Sequence, residues 1–404
     1  MLLNNYLKLK QENLLLILLI IFSFLIRIPV IIFLGDTSVE NEWEFLLYNL
    51  INHKTLSFQQ FDGFLLPNLL MPPLYAYYLY IFSFFNLESQ NFIFLILFSQ
   101  ILLGSISVAI FYKINKFFFS ERISFYSSLL FSLFPLYLYA CSQISSVSLT
   151  IFLALLFYYY FFKISKNSKF AYIFLFAVIG GLLILLRREF ILIIILSCFY
   201  MFFYFKIPIK KVLLVFLISL ITISPYLVRN YLIFEKVIIH SSFGFNLWKG
   251  NNENSKVEGS FIIKKNMQDK IDKIPKNKFY RINFDKIFLT EAIENIKDDP
   301  SRYLFLYLKR TIAYFFIDLE SSKYNYYNPF HYLPIVLLGI TSLIGIFLSN
   351  KKSYQLNYLI FILLFYIFVF SFFSIMPRYK LYIIPLQIIF TNIFINYIIK
   401  KYKG

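Results

Sequence analysis

The chain has few of the residues that build disulfide frameworks or zinc sites. Its 404 residues include two cysteines, Cys141 and Cys198, and three histidines. Neither cysteine belongs to a CxxC pair, so a disulfide framework and a recognisable zinc cluster are both excluded. Acidic residues are also few, with 21 against 39 basic residues and a formal charge of +18.

Charged residues as a whole are scarce, at 15% of the chain, while 59% is hydrophobic and the mean hydropathy is +0.69. Soluble domains are about half apolar and about a quarter charged. The composition therefore excludes a set of soluble domains. It indicates an all-α polytopic membrane protein, in which the position of each charge matters more than the total.

Ten apolar runs are long enough to cross a bilayer, some with tilt. They lie near 14–34, 91–112, 123–140, 147–162, 170–187, 190–205, 212–228, 329–349, 354–374 and 380–399. The first follows Lys8 and Lys10 without a small-residue cleavage site, so we expect a retained span and not a signal peptide. The sequence thus predicts a bundle of about ten transmembrane helices.

Basic residues alternate along the short connections between these runs. The connections that follow the second, fourth, sixth, eighth and tenth runs contain Lys113, Lys116 and Arg122; Lys163, Lys166 and Lys169; Lys206, Lys210 and Lys211; Lys351 and Lys352; and Lys400, Lys401 and Lys403. Because short cytoplasmic loops are rich in Lys and Arg, this alternation places both termini in the cytoplasm. It also explains the positive charge without a nucleic-acid partner.

Two long segments then lie on the external side, at 35–90 and 229–328. They divide the chain into an N-terminal transmembrane module (1–228, including the first external loop), an external region (229–328) and C-terminal transmembrane helices (329–404). Within the loops, 71–85 and 303–317 are apolar but short or interrupted by charge. We expect both to form interfacial helices, the first opened by Pro72 and Pro73.

The first external loop is acidic. Its carboxylates are Asp36, Glu40, Glu42, Glu44, Asp62 and Glu88, opposed by Lys54. Thr37 and Glu40 have the spacing of a capping box, which predicts a helix start and gives Glu40 a structural role. The alternative is that one of these carboxylates takes a proton from an attacking acceptor hydroxyl.

Several short motifs resemble, in order, those of bacterial glycosyltransferase family 39, which is related to the protein O-mannosyltransferases and the lipid A aminoarabinose transferase. The motif residues are Glu40, Trp43, Asn49 and Leu50; Pro72 to Tyr75; Pro225, Tyr226, Arg229 and Asn230; Gly244, Asn246, Leu247, Trp248, Gly250 and Asn251; and Arg378, Tyr379 and Pro385. The resemblance implies a GT-C fold and inverting sugar transfer from a polyprenyl-phosphate carrier.

The same resemblance implies roles for individual residues. Counting back from Trp43 places the family's catalytic Asp at Val39, so Glu40 is the preferred general base, with Asp36 or Glu42 as alternatives. The residues expected at the substrates are Arg378, Arg229 and Arg27 for the carrier phosphate, and Trp43, Tyr75, Asn246, Trp248, Asn251 and Tyr379 for the sugar or acceptor. Met71 stands where the aminoarabinose transferase has a lysine, so another basic residue must contact the phosphate.

Arginine is nearly confined to the predicted external side, and its planar fork suits phosphate. The alternatives are structural: Arg27 snorkels or pairs with Glu189, and Arg187 and Arg188 anchor a turn. Trp248 then marks the membrane interface and Tyr75 anchors there. No cofactor is required, and a divalent metal is possible but not indicated by any ligand spacing.

The sequence thus predicts a glycosyltransferase of the bacterial inner membrane with its active site on the periplasmic face. It would take a lipid-linked sugar and a lipid, glycan or protein acceptor, and it would contact membrane lipid. The alternatives are a flippase or transporter of lipid-linked sugars and an O-antigen polymerase or ligase. Inverted repeats typical of transporters are not visible in the sequence.

Overall fold

A computed structural model describes residues 2–61, 63–85, 89–321, 327–350 and 352–403. Its helices are α1 (Leu2–Leu34), α2 (Asn41–His53), α3 (Pro73–Ser83), α4 (Ser89–Asn115), α5 (Glu121–Leu133), α6 (Pro135–Ser142), α7 (Val147–Lys166), α8 (Phe170–Ile184), α9 (Phe190–Phe203), α10 (Ile209–Phe234), α11 (Phe243–Asn251), α12 (Lys265–Asp272), α13 (Tyr280–Asp298), α14 (Pro300–Phe315), α15 (Pro329–Leu348), α16 (Tyr354–Ser371) and α17 (Ile384–Lys403). A 3-10 helix, Pro377–Tyr382, precedes α17. Three of the predicted charges, Asp62, Glu88 and Lys351, lie outside the described residues.

Helices occupy all ten positions predicted to cross the membrane. Within the described residues, six of them (α1, α4, α7, α10, α15 and α16) are long and apolar enough to span a bilayer. The bent pair α5–α6 would be a seventh span, while α8 and α9 are apolar but shorter. The prediction of an all-α polytopic membrane protein is confirmed.

The predicted span at 123–140 is broken into two helices. α5 and α6 are bent by 50° at Phe134, immediately before Pro135. Proline lacks the N–H that would continue the hydrogen-bond ladder, and it pushes the preceding residue out of helical geometry. Phe134 accordingly has extended backbone angles, and α6 turns across the bundle.

The core is one large apolar cluster in which α4 and α7 contribute many fully buried side chains. α15 and α17 approach closely at Gly345, where an added Cβ would lie 1.8 Å from the carbonyl oxygen of Phe390. Any larger residue would separate these two helices, so glycine at this position sets their spacing.

A separate polar lobe consists of α11 to α14. It has its own small core, formed by Leu247, Trp248, Met267, Ile271, Ile274, Phe288 and Ala292. The predicted interfacial helices at 71–85 and 303–317 are present as α3 and α14. α10 continues to Phe234, so the predicted 229–328 loop begins inside a helix and is itself largely helical.

Two features of the first loop differ from the sequence analysis. The capping-box prediction at Thr37 is wrong, because α2 begins only at Asn41, with Glu40 as an extended N-cap whose side chain makes no capping hydrogen bond. A hairpin of β1 (Ser57–Phe61) and β2 (Phe64–Pro67) was not predicted. The Asp-Gly pair at 62–63 was its signal, and Gly63 has the positive φ of 83° that such a turn needs.

Candidate active site

The segment after α1 is fastened to the turn between α6 and α7. The backbone N–H of Asp36 donates to the carbonyl oxygen of Ser142 at 3.0 Å. The Asp36 carboxylate accepts a 2.6 Å hydrogen bond from the backbone N–H of Ile144. The side-chain amide of Gln143 donates to the carbonyl oxygen of Leu34 at 3.0 Å. These bonds fix both the backbone and the carboxylate of Asp36 at the end of α6.

The surroundings of Asp36 raise the pKa of its carboxyl group. Partial burial raises its pKa, the hydrogen bond from Ile144 lowers it, and the negative charge of Glu40 raises it further, with a net rise. A carboxylate with a raised pKa is the better proton acceptor near neutral pH. Asp36 therefore combines a fixed position with the electrostatics of a general base.

The other two candidate acids have different surroundings. Glu40 is exposed, and its carboxylate accepts a 3.2 Å hydrogen bond from the hydroxyl of Ser38. Glu42 is half-buried in the first turn of α2, where a negative charge suits the helix dipole. Among the contacts that the structure describes for these three acids, the carboxylate of Asp36 is the one that accepts a hydrogen bond from a backbone N–H.

Trp43 and Tyr75 pack together within the fold, with ring centroids 4.8 Å apart. Tyr75 is fully buried, and its hydroxyl donates to Gln100 at 3.0 Å. The amide of Gln100 in turn donates to the carbonyl oxygen of Gln143 at 2.9 Å. Tyr75 therefore braces α3 against the turn that holds Asp36, and its ring presents no open face to a sugar.

The turn between α8 and α9 meets the start of α3 on its other side. The backbone N–H of Leu74 donates to the carbonyl oxygen of Leu185 at 3.3 Å. The Arg187 guanidinium carbon lies 5.4 Å from the ring centroid of Tyr382 in the 3-10 helix. Burial raises the pKa of Tyr382, while the charges of Arg187 and exposed Arg378 lower it. Arg187 therefore packs on this phenol, and the charge of Arg378 acts on the same group.

Arg188 extends this positive region, and His240 lies near it. The Arg188 guanidinium carbon lies 5.4 Å from the ring centroid of Phe243. Burial lowers the pKa of His240 to about 3, and the charges of Arg188 and Arg187 contribute to the lowering. The imidazole is therefore neutral at pH 7. We call Arg187, Arg188 and Arg378 the arginine cluster.

Helix α6 connects Asp36 with the arginine cluster. At one end, the Tyr137 hydroxyl donates to the carbonyl oxygen of Leu381, in the same 3-10 helix as Arg378, at 2.5 Å. At the other end, Ser142 accepts the bond from Asp36. Tyr137 and Ser142 are separated by a rise of about 7.5 Å at 1.5 Å per residue. Asp36 and the 3-10 helix that contains Arg378 are therefore attached at opposite ends of one short helix.

Arg229 serves the fold. Its guanidinium donates to the carbonyl oxygens of Asn68 at 3.2 Å and Leu56 at 3.1 Å and to the Asn230 side chain at 2.6 Å. Asn230 donates to the carbonyl oxygen of Ile238 at 2.6 Å. The predicted motif around Arg229 thus ties α10 to the ends of the hairpin and leaves little of the guanidinium for a phosphate.

The predicted motif at residues 244–251 also makes its contacts inside the protein. Trp248 is 2% exposed and packs on Phe288, with ring centroids 4.7 Å apart. Buried Asn251 donates to the carbonyl oxygen of Phe372 at 2.8 Å and accepts from Arg310 at 3.0 Å. Asn246 donates within its own helix, to Ser242 at 2.7 Å. These side chains stabilise the lobe and attach it to the C-terminal end of α16.

The 3-10 helix is held from behind by Lys380 and Tyr379. Buried Lys380 donates to the carbonyl oxygen of Phe316 at the C-terminus of α14, where a cation suits the helix dipole. Burial lowers the pKa of Lys380 to about 7, although the charge of Asp318 raises it. The Tyr379 carbonyl oxygen accepts a 3.0 Å hydrogen bond from Tyr314. The lobe thereby fixes the position of Arg378.

Arg27, the third predicted phosphate ligand, is 1% exposed inside the bundle. Its guanidinium is therefore enclosed by the protein and presents no open surface to a headgroup. In its place the structure brings Arg187 and Arg188 to the site, which the sequence analysis treated as turn anchors. The signal was two adjacent arginines at a short predicted external turn.

In the part of the chain that the structure describes, no group of three or more His, Cys, Asp or Glu residues could hold a metal ion.

Residues 71–228 match the family model described as dolichyl-phosphate-mannose-protein mannosyltransferase. The matched segment starts beside Pro72, contains Arg187 and Arg188, and ends within α10. It confirms the family resemblance predicted from the sequence. Among curated proteins, none matches this chain.

Two crystal structures of the Archaeoglobus fulgidus oligosaccharyltransferase resemble the fold. The apo form has a TM-score of 0.54 at 13% identity, and the form tethered with an acceptor peptide containing the NVT sequon via a disulfide bond has 0.57 at 15%. Each comparison covers 96% of this chain, which spans about half of the solved chains, 51% and 50% respectively. The likeness confirms the predicted GT-C fold.

Proposed function

From the GT-C fold and the family match over residues 71–228, we propose that this membrane protein is a glycosyltransferase. It transfers a sugar, with inversion, from a polyprenyl-phosphate carrier to an acceptor hydroxyl. The observation that supports this proposal is that one base-like carboxylate, Asp36, and the 3-10 helix that contains Arg378 are attached at the two ends of α6. No separate cofactor enters this proposal.

In the proposed reaction, Asp36 accepts the proton of the acceptor hydroxyl as that oxygen attacks the anomeric carbon. The bond from that carbon to the phosphate oxygen breaks, and its electron pair leaves with the carrier phosphate. Arg187, Arg188 and Arg378 stabilise the charge that the leaving phosphate gains, because guanidinium groups bind phosphate through charge-assisted hydrogen bonds. This assignment prefers Asp36 to Glu40 as the base.

We place this reaction on the periplasmic face of a bacterial inner membrane, with both termini in the cytoplasm. The alternation of lysine clusters supports that orientation. The acceptor in this proposal is an envelope lipid, a glycan or a protein. The carrier tail would lie in the bilayer beside the bundle, with its phosphate at the arginine cluster.

Mass spectrometry of envelope glycolipids and glycans in a deletion strain tests the proposed reaction. A transferase predicts loss of one sugar mass from an acceptor and its return when the wild-type gene is restored. Accumulation of an intact lipid-linked precursor on the cytoplasmic side, without loss of a single sugar, would instead indicate a flippase. Loss of polymer length or of whole-chain attachment would indicate a polymerase or ligase.

A further inference from the structure

Gln100 is a polar residue enclosed by the helical bundle. It belongs to α4, a helix long and apolar enough to span the membrane, and it is 0% exposed. A buried amide is costly unless its donors and its acceptor are satisfied, so its partners indicate its role. The side-chain hydrogen bonds that the structure describes for Gln100 lead to two places. These are the hydroxyl of Tyr75 in α3 and the turn at residues 141–143 between α6 and α7.

The amide of Gln100 fits this turn in one orientation. Nε2 donates to the carbonyl oxygen of Gln143 at 2.9 Å and, more weakly, to that of Cys141 at 3.4 Å. Oε1 accepts from the hydroxyl of Tyr75 at 3.0 Å. Because carbonyl oxygens only accept, the donor end of the amide must face the turn. The hydroxyl of Tyr75 then holds the amide in that orientation.

One peptide group of the turn connects Gln100 with Asp36. The carbonyl oxygen of Gln143 and the N–H of Ile144 belong to the same peptide bond, which is trans. The carbonyl oxygen accepts from Gln100 at 2.9 Å, and the N–H donates to the Asp36 carboxylate at 2.6 Å. A trans peptide is planar, and its C=O and N–H point in opposite directions. A hydrogen bond that fixes the carbonyl oxygen therefore also fixes the N–H that holds the carboxylate.

We propose that Gln100 is a positioning residue for the general base, acting through the peptide bond between Gln143 and Ile144. This inference rests on the proposed function, because it takes Asp36 as the proton acceptor in sugar transfer. Burial raises the pKa of the Asp36 carboxyl group, and the hydrogen bond from Ile144 lowers it. Loss of the Gln100 amide therefore displaces the carboxylate and raises its pKa further.

The variant Gln100→Met tests the proposal, because methionine keeps the length of the side chain and removes the amide. In the purified full-length enzyme, kcat for sugar transfer should fall about 10- to 100-fold, since a small displacement of a reacting group is costly. KM for the lipid-linked donor should stay nearly unchanged. The loss of kcat towards acid pH should begin at a higher pH than in the wild type. A residue that only stabilised the fold would not move this pH profile.

The matched control is Asn115→Leu. Asn115 is also a fully buried amide of α4, but it donates to the carbonyl oxygen of Phe111 in its own helix at 2.9 Å. It lies 15 residues from Gln100, or about 22 Å at 1.5 Å per residue. Its loss should lower the melting temperature and leave kcat and the pH profile as in the wild type.

A second variant, Tyr75→Phe, removes the hydroxyl that orients the Gln100 amide and keeps the buried ring. It should lower kcat about 2- to 10-fold, which corresponds to the net contribution of about one hydrogen bond. It also keeps the proposal falsifiable if Gln100→Met does not fold, because unchanged kcat and an unchanged pH profile in folded Tyr75→Phe would then overturn it.

Hydrogen exchange measured by mass spectrometry gives a readout that needs no activity. Gln100→Met should speed exchange in the peptides that contain the backbone amides of Asp36 and Ile144, whereas Asn115→Leu should not. Unchanged exchange in folded Gln100→Met, or unchanged kcat and pH profile in that variant, would overturn the proposal. If the wild type transfers no sugar, the proposed function is overturned, and faster exchange in Gln100→Met supports only the structural part of this inference.

Discussion

Two stretches of this chain carry family-like motifs, yet they use their polar residues in opposite ways. In residues 226–251, the side chains of Arg229 and Asn251 donate hydrogen bonds to backbone carbonyl oxygens of neighbouring segments. In the 3-10 helix, Arg378 is exposed and Tyr382 carries Arg187 over its ring, while Lys380 faces inward. A motif residue whose hydrogen bonds are satisfied internally supports the fold, whereas an exposed one beside other cations is available to a ligand.

The largest effect on stability should follow from removing a buried cation whose hydrogen bonds are all made within the protein. Buried Arg310 donates to Asn251 and to the carbonyl oxygens of Gly250 and Lys256. Arg310→Met should leave these acceptors unsatisfied and destabilise the protein by about 3–5 kcal/mol. Thermal unfolding of purified protein measures this loss. Exposed Lys297→Met on the same lobe is the control, and equal melting temperatures for the two variants would contradict the assignment.

The arginine cluster should show the opposite behaviour. Arg378→Gln and Arg187→Gln should each raise KM for the lipid-linked donor about 10- to 100-fold, because each removes a charge-assisted contact to phosphate. Arg229→Gln should instead lower the melting temperature and leave KM nearly unchanged. Steady-state transfer assays, paired with unfolding curves, separate these outcomes. A raised KM for Arg229→Gln alone would reverse the comparison between the two stretches.

Lys380 differs from both groups because it is buried yet belongs to the 3-10 helix, which it joins to the end of α14. Lys380→Met should raise KM for the donor by about 3- to 10-fold through the position of Arg378, which corresponds to the net contribution of about one ordinary hydrogen bond. The effect should be non-additive with Arg378→Gln in a double-mutant cycle. Full additivity in transfer assays would show that Lys380 acts on stability alone.

The smallest effect concerns His240. Its pKa is lowered to about 3 in the folded protein, against about 6.5 when unfolded. The unfolded state therefore binds more protons below pH 6.5, and stability falls as the pH falls. We expect the free energy of unfolding of the wild type to fall by about 1 kcal/mol between pH 7 and 5.5. The fall should be smaller in His240→Asn. It should equal that of the wild type in His53→Asn, an exposed control. Unfolding curves at both pH values measure it, and equal losses in all three proteins would contradict the assignment.

The helical bundle was predictable because each span is encoded locally, by apolar length and by the lysines that follow it. Pro135 shows the limit of such local signals. Length alone predicted one span at 123–140, whereas Pro135 breaks the helix at Phe134, and the direction that α6 then takes depends on packing. The hairpin had a local signal at Asp62 and Gly63, which the surrounding apolar residues obscured.

The site was less predictable, because its parts come from distant segments. Asp36 was a candidate, but nothing near it in sequence shows that Ile144 would hold its carboxylate. Thr37 and Glu40 had capping-box spacing, yet the bond from Asp36 to Ser142 holds this segment outside α2. Arg187 gains significance only from its contact with Tyr382.

The central claim is that Asp36, and not Glu40, is the general base. The most direct measurement is the rate of sugar transfer by purified wild type, Asp36→Asn and Glu40→Gln, with melting temperatures to show that each is folded. We predict a loss of about 10²- to 10⁴-fold for Asp36→Asn and less than about tenfold for Glu40→Gln. Near-wild-type transfer by folded Asp36→Asn, with loss in Glu40→Gln, would contradict the account.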